Sequence, residues 1–424
     1  MKRISLLIIS FIIFLSFTPG IVLAESDDII PLDEQGISSK HYILYDPLTK
    51  TVLSQALSHE KIAPASITKA LTLITALELI DQDPSSIEIK VPAAVYDGLT
   101  PIASIAGFEI DEVITLEDAF YGLMLPSGAD ASRIISWYLT QSPEGLASEM
   151  NKKAQAIGMK NSLFMNTSGL DQDNHYSTAY DLALLIDYAL QNEDFKTIYD
   201  AENYTTSKTS HHPEGIKLVD RNLEYARKDK NNYILGAKSG YTENAQRSLS
   251  SYAQKDNKQL IFISTYNTNK LASENGPVED ANLAYARAFE DYKNITILSK
   301  NTVFDTLAIE NAKAFEYLSS EDINIYIPKD LDPNDIKIEI KDQPHNLVAP
   351  VEANTSMGNL EISYNDKVVY RTPYTNQDLI PVRLLSVIWD FSKVLFIIIS
   401  LALFIVFAFL YIHSTVQKYK HFNR

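Results

Sequence analysis

The sequence predicts an α+β fold: an antiparallel sheet with packed helices, followed by a small all-β domain and one C-terminal transmembrane helix. Three observations carry this. Strand-like segments come first, helical periodicity fills the middle and strands return, which is the order of a layered α+β domain. Beyond about residue 293 helical patterns give way to short alternating runs such as "IKIEIK" and "NLEISYNDKVVYRTPY". Residues 394–412, "VLFIIISLALFIVFAFLYI", are uncharged and long enough to cross a bilayer as a helix.

The elements follow in order. Lys2 and Arg3, the apolar run 4–17 and the small-residue exit Val22-Leu23-Ala24 predict a secretory signal peptide over 1–24. The main domain is expected over 25–293. "HYILYDPLTKTVLSQA" reads as a hairpin about Asp46-Pro47-Leu48-Thr49. A helix follows from Ser66 to Ile80. Helical stripes on both sides of Pro126-Ser127-Gly128 predict two helices with a break between them. "EGLASEMNKKAQAIG" and "STAYDLALLIDYAL" are helical, the second with Ser177 as expected N-cap. "YILGAKSG", "QRSLSSYA" and "KQLIFISTYN" read as three sequential antiparallel strands, and a last helix is expected over 278–292. The all-β domain is expected over 294–378, a linker over 379–393, the membrane helix over 394–412 and a tail over 413–424. Trp389 and Tyr411 flank the apolar run, and Lys418, Lys420 and Arg424 follow it without an acid. This pattern places the tail in the cytoplasm and the bulk of the chain outside.

A formal charge of −17 makes a surface that repels nucleic acid, so no nucleic-acid partner is expected. Having no cysteine, the chain can form neither disulfides, nor a thiol nucleophile, nor thiolate metal sites. Adjacent His211 and His212 on a polar loop lack a third ligand in the sequence and read as surface, and no metal or cofactor is expected.

Within "PASITKALTLITALELI", Lys69 is locally misplaced, because the positive end of a helix dipole disfavours a cation in the first turn and a capping box wants an acid there. The helix behind it is apolar almost all round, the mark of a buried element. Burial and dipole both favour the neutral amine, and a spacing of three sets it on the same helical face as the Ser66 hydroxyl. A neutral amine beside a hydroxyl is a base beside a nucleophile.

Two further short motifs follow in the chain: Ser127-Gly128-Ala129 in the loop between helices and Lys238-Ser239-Gly240 at a strand end. With Ser66-Ile67-Thr68-Lys69 they resemble the S-x-x-K, S-x-N and K-[ST]-G set of the penicillin-recognising serine enzymes. "APASITK", "GMKNSLFMNTSGLDQDNHYSTAYDLALL" and "GAKSGYTENA" are similar to the D-alanyl-D-alanine carboxypeptidases among the low-molecular-weight penicillin-binding proteins. The trailing β domain and membrane anchor match that family's plan.

The resemblance implies a β-lactamase/transpeptidase-like main domain at the bacterial cell membrane, trimming peptidoglycan stem pentapeptides and acylated by β-lactam antibiotics. It implies Ser66 as nucleophile, Lys69 as its base and Ser127 as proton relay. Lys238 and Ser239 would bind the substrate carboxylate, Gly240 would let substrate lie on the strand edge, and Tyr241 would give one oxyanion N–H beside that of Ser66. The departure is Ala129, where the family has Asn; Asp130 next to it should point elsewhere. The alternative reading is a wall-binding scaffold with weakened chemistry.

Overall fold

The computed structural model describes residues 28–32, 36–256, 258–268 and 275–422. The expected signal peptide lies outside the described residues. The described chain forms two compact units: Asp28–Ile295 with Tyr326–Leu331, and Thr296–Ile325 with the chain from Asp332 onward.

The first unit opens with the hairpin β1 (Ser39–Asp46) and β2 (Thr51–Ala56), at the expected turn. Asp46 Oδ1 accepts from the Leu48 N–H at 2.8 Å, an Asx closure of that turn. Helix α1 (Thr68–Leu77), the short pair β3 (Glu88–Lys90) and β4 (Val113–Thr115), and helices α2 (Leu116–Met124), α3 (Ala129–Thr140), α4 (Ala147–Ile157), α5 (Ala179–Ala189) and α6 (Glu193–Tyr199) follow. A second short pair, β5 (Asn203–Thr205) and β6 (Lys217–Val219), leads into α7 (Arg221–Ala226). The meander β7 (Ile234–Thr242), β8 (Gln246–Lys255) and β9 (Lys258–Asn267) returns to the sheet, and α8 (Gly276–Ala286) comes after it.

The five long strands order as β2-β1-β9-β8-β7, with every neighbouring pair antiparallel. Strand periodicity of two sorts the side chains of β1 and β9 between two cores. Ile43, Tyr45, Ile261 and Ile263 pack with the helices α1 to α6. Tyr42, Leu44, Leu260 and Phe262 pack with α8 and with Ile29, Ile30 and Leu32. The central strands are therefore buried on both faces, each such aliphatic side chain contributing about 1.5–3 kcal/mol. All ten residues of α1 are buried, as its all-round apolar pattern predicts.

The structure corrects two element boundaries. The N-cap of α5 is Thr178, whose hydroxyl accepts from the Asp181 N–H (3.0 Å), and not Ser177. Ser177 is committed to a β-bridge with Ile62, exchanging both backbone bonds at 2.9 Å. The helix expected over 278–292 ends as α8 at Ala286, passes through a π-turn (Arg287–Asp291) and becomes a strand at Tyr292.

Past that point come β10 (Tyr292–Leu298), β11 (Val303–Leu307), β12 (Phe315–Leu318), β13 (Ile323–Pro328), β14 (Lys337–Lys341), β15 (Ser356–Tyr364) and β16 (Lys367–Thr375). They pair as β10-β13, β11-β12 and the three-stranded β14-β15-β16. In the second unit Tyr317 is buried with Val351 and Met357 and donates its hydroxyl to the Met357 carbonyl at 2.7 Å. Helix α9 (Leu384–Phe422) begins inside the stretch read as linker, and its part Phe391–Val416 is long and apolar enough to cross a membrane.

Candidate active site

Ser66 sits in the 3-10 turn Ala65–Ile67 that leads into α1, and its side chain caps no helix. Ala65 takes a positive φ of 46°, a left-handed bend that costs energy for a residue with a β-carbon. Three backbone features hold this turn. On one side, a β-carbon at Gly240 of β7 would stand 2.8 Å from both the Ser66 nitrogen and Ala65 Cβ. On another, a β-carbon at Gly169, whose φ is 82°, would stand 1.8 Å from the Ala65 carbonyl oxygen. Behind it, α1 is locked in the core.

Lys69 is buried in the first turn of α1, with Nζ 3.0 Å from Ser66 Oγ and donating to the Ser168 carbonyl at 2.6 Å. Burial above all, then the nearby Lys238 ammonium, pushes the Lys69 amine well below the ordinary lysine range, against the pull of Asp130 and Glu144. The Ser168 carbonyl is itself fixed. Asn166 Oδ1 accepts from the N–H of Gly169 (2.7 Å) and Ser168 (3.2 Å), and Glu144 accepts from the Thr167 N–H (2.9 Å). His175, buried and held neutral with its pKa pushed down to about 4, accepts at Nδ1 from the Met165 N–H (3.1 Å), leaving the Nε2 proton for Thr68 Oγ1 (3.0 Å).

Lys238 is buried on β7, the edge strand of the sheet, and donates to the Ser239 carbonyl at 3.1 Å. Burial lowers its pKa to about 8, with the Asp220 carboxylate opposing the shift. Asp220 is the buried N-cap of α7, accepting from the N–H of Asn222 and Leu223. Asn222 Nδ2 donates to Ser239 Oγ at 2.6 Å, so one short helix supports both polar residues of the motif. Tyr241 follows on the same strand with its ring exposed.

Ser127 lies in the break between α2 and α3 with φ 62°, and its buried Oγ has no hydrogen-bond partner among the described residues. The hydrogen bonds therefore join Ser66 to Lys69 but do not tie Ser127 to either; its place is set by α3, which packs on α1. Ala129 is buried at the start of α3 and donates its N–H to the Ser104 carbonyl (2.8 Å). Asp130, next in α3, is buried and bonded by backbone N–H groups. Its carboxylate accepts from the N–H of Ala106 (2.7 Å), Gly107 (3.0 Å) and Ala131 (2.8 Å), tethering the 104–107 loop beside the second motif.

Sequence reasoning missed Ser168, Gly169, Asn166, Asp220 and Asn222. The signals were the Asn-x-x-Gly spacing of "NTSG", which suits an Asx turn, and Asp220 ahead of the helical run "RNLEYA". The histidine pair is structural in part: His212 Nδ1 lies 2.8 Å from Oε1 of the buried Glu112.

The family model described as D-alanyl-D-alanine carboxypeptidase matches residues 30–267. The chain belongs to this family. A second model, the C-terminal domain of penicillin-binding protein 5, matches residues 292–381. Among curated carboxypeptidases, DacF of Bacillus subtilis is 29% identical over 383 residues, covering 88% of this chain and 93% of the relative. DacA of Escherichia coli K12 is 24% identical over 396 residues, covering 89% and 94%. Among solved structures, the carboxypeptidase DacD of Francisella tularensis superposes with a TM-score of 0.68 at 21% identity, covering 85% of this chain and 98% of its own. Penicillin-binding protein 5 of Haemophilus influenzae gives 0.61 at 21% identity, covering 81% and 98%. These likenesses show the shared fold. The activity of this D-alanyl-D-alanine carboxypeptidase is that of a serine hydrolase, and a scaffold with decayed chemistry is not favoured.

Proposed function

We propose that the carboxypeptidase reaction runs through an acyl-enzyme on Ser66. The 3.0 Å approach of the buried Lys69 amine to Ser66 Oγ carries this reading, with burial pushing that amine toward its neutral form. The amine lone pair takes the hydroxyl proton as Oγ attacks the carbonyl between two D-alanines. The resulting oxyanion is held by the backbone N–H groups of Ser66 and Tyr241, each worth about 3–4 kcal/mol in such a site. Ser127, whose hydroxyl has no partner among the described residues, relays the proton held by Lys69 to the leaving amine, and the C–N bond breaks to free D-alanine and leave Lys69 neutral again. Water then attacks the ester, Lys69 taking its proton and handing it to the departing Ser66 Oγ, which regenerates the hydroxyl and the neutral amine.

Lys238 and Ser239 bind the terminal carboxylate of the substrate, and Gly240 leaves the strand edge bare for its backbone. The substrate is the peptidoglycan stem pentapeptide. β-Lactams, whose strained amide takes the place of the scissile bond, acylate the same serine. The helix Phe391–Val416 anchors the chain in the bacterial cell membrane, with the catalytic unit outside.

The test is D-alanine release from diacyl-Lys-D-Ala-D-Ala by the full chain, with mass spectrometry of a penicillin adduct. Ser66→Ala should abolish both. An adduct that survives in Ser66→Ala would overturn the assignment of the nucleophile.

A further inference from the structure

The protein is acidic overall, yet four lysines converge on one pocket. It has a volume of about 360 Å³ and is lined by Lys255, Lys258, Lys293 and Lys329 with Asp46, Asp256 and the apolar faces of Leu48, Phe289 and Tyr326. All of these belong to the Asp28–Ile295 unit with Tyr326–Leu331. Along β8, Lys255 lies about 23 Å from Ser248, the partner of Gly240, at ~3.3 Å per residue, so the pocket is separate from the catalytic serine.

Three carboxylates, Asp46, Asp256 and Glu290, stand against the four lysines, which leaves the pocket with about one positive charge in excess. Lys255 pairs with Glu290. Lys258 donates to the Ala288 carbonyl (3.2 Å), Lys329 to the Phe289 carbonyl (3.0 Å) and Lys293 to the Lys329 carbonyl (3.0 Å). Those are neutral acceptors. The end of a helix adds only about half a negative charge to those carboxylates. The Asp46 carboxylate favours the charged form of Lys258, while its Oδ1 accepts from the Leu48 N–H and its Oδ2 from the Tyr326 hydroxyl at 2.5 Å. Lys258 also lies 4.0 Å over the Tyr326 ring, and burial lowers its pKa to about 8 against the pull of Asp46, so an arriving anion would stabilise an ammonium that burial disfavours.

Lysines are point-charge partners for phosphate, and a small concave site with apolar walls and a few convergent polar groups is the usual form of a ligand pocket. The amides of Gln259 and Asn294, also in the lining, suit hydroxyl groups beside the anion. We propose that this pocket binds a phosphate ester of a small polyol, phosphoglycerol being the simplest case, through Lys258, Lys293 and Lys329.

The test uses the full chain in phosphatidylcholine nanodiscs, titrated by calorimetry with sn-glycerol 3-phosphate and, separately, with dihexanoyl-phosphatidylglycerol. A Lys258→Gln/Lys329→Gln variant should bind about tenfold or more weakly while D-alanine release is unchanged. A Lys293→Gln/Lys329→Gln variant gives the same reading should the first fail to fold. Binding of glycerol phosphate upholds the site with a soluble ester as its source. Binding of the short-chain lipid alone, again weakened in the variants, upholds it with a lipid headgroup as the source. No binding of either at about 10 mM, or binding that the substitutions leave unchanged or that sodium sulfate matches, overturns it.

Discussion

Gly240 runs so close to Ser66 that a β-carbon at position 240 would stand 2.8 Å from the Ser66 nitrogen. The third motif is thus built against the backbone of the first, and neither backbone can give way cheaply. Gly240→Ala should lower kcat/KM at least about tenfold and stability by about 1–3 kcal/mol, read by D-alanine release and thermal unfolding. Wild-type kinetics in this variant would show that β7 can slide along the serine turn at no cost.

Gly169→Ala should be worse for folding. Its φ of 82° is strained for any side chain, and the added carbon would sit inside the Ala65 carbonyl. A loss of more than about 2 kcal/mol in denaturant unfolding is expected, with kcat falling in whatever fraction still folds, since the Ser168 carbonyl beside it holds Lys69.

Ala129→Asn should raise D-alanine release. An amide there would supply the hydrogen bond that the alanine cannot, worth about 0.5–1.5 kcal/mol to an amine held toward its neutral form. Crowding at a buried position should lower the melting temperature at the same time. An unchanged rate would mean that the Ser168 carbonyl already positions the amine fully.

The pH profile should report the two buried amines on opposite sides. Burial lowers Lys69 well below the lysine range, so the acidic limb should report its protonation and the base should be gained as pH rises through that lowered value. In the proposed mechanism Lys238 is charged when it holds the carboxylate, and with its pKa lowered to about 8 that charge is lost as pH rises through 8. The alkaline limb of kcat/KM should therefore fall near pH 8 in the free enzyme and be absent from kcat. Lys238→Gln should raise KM and remove that limb. For stability the sign is opposite: between about pH 8 and the unfolded lysine value of about 10.4, the unfolded chain holds more protons at this position, so its burial penalty fades as pH rises.

Most of the architecture was legible because it rests on periodicity. Tyr42/Leu44 against Ile43/Tyr45 marks a strand buried on both faces, and an all-apolar α1 marks a core helix. The Ser66–Lys69 pair was legible because three residues along a helix fix a geometry locally. What stayed hidden depends on contacts between distant segments. Ser177 and Thr178 are equivalent caps in sequence, and only the bridge from Ser177 to Ile62 decides between them. The Ser168 carbonyl carries no side-chain signature at all, and nothing in "DRNLEYA" says that Asn222 will reach Ser239, 17 positions away.

The outermost place of β7 has a consequence for life at high concentration. A bare strand edge is a template on which another copy of the chain, or any extended peptide, can add and start an aggregate, and proteins blunt such edges with charges that point inward. Lys238 is that charge: a foreign strand docking there would bury the ammonium further with only Asp220 to balance it, whereas a ligand ending in its own carboxylate would relieve it. The open edge is thereby reserved for guests that arrive with a negative terminus.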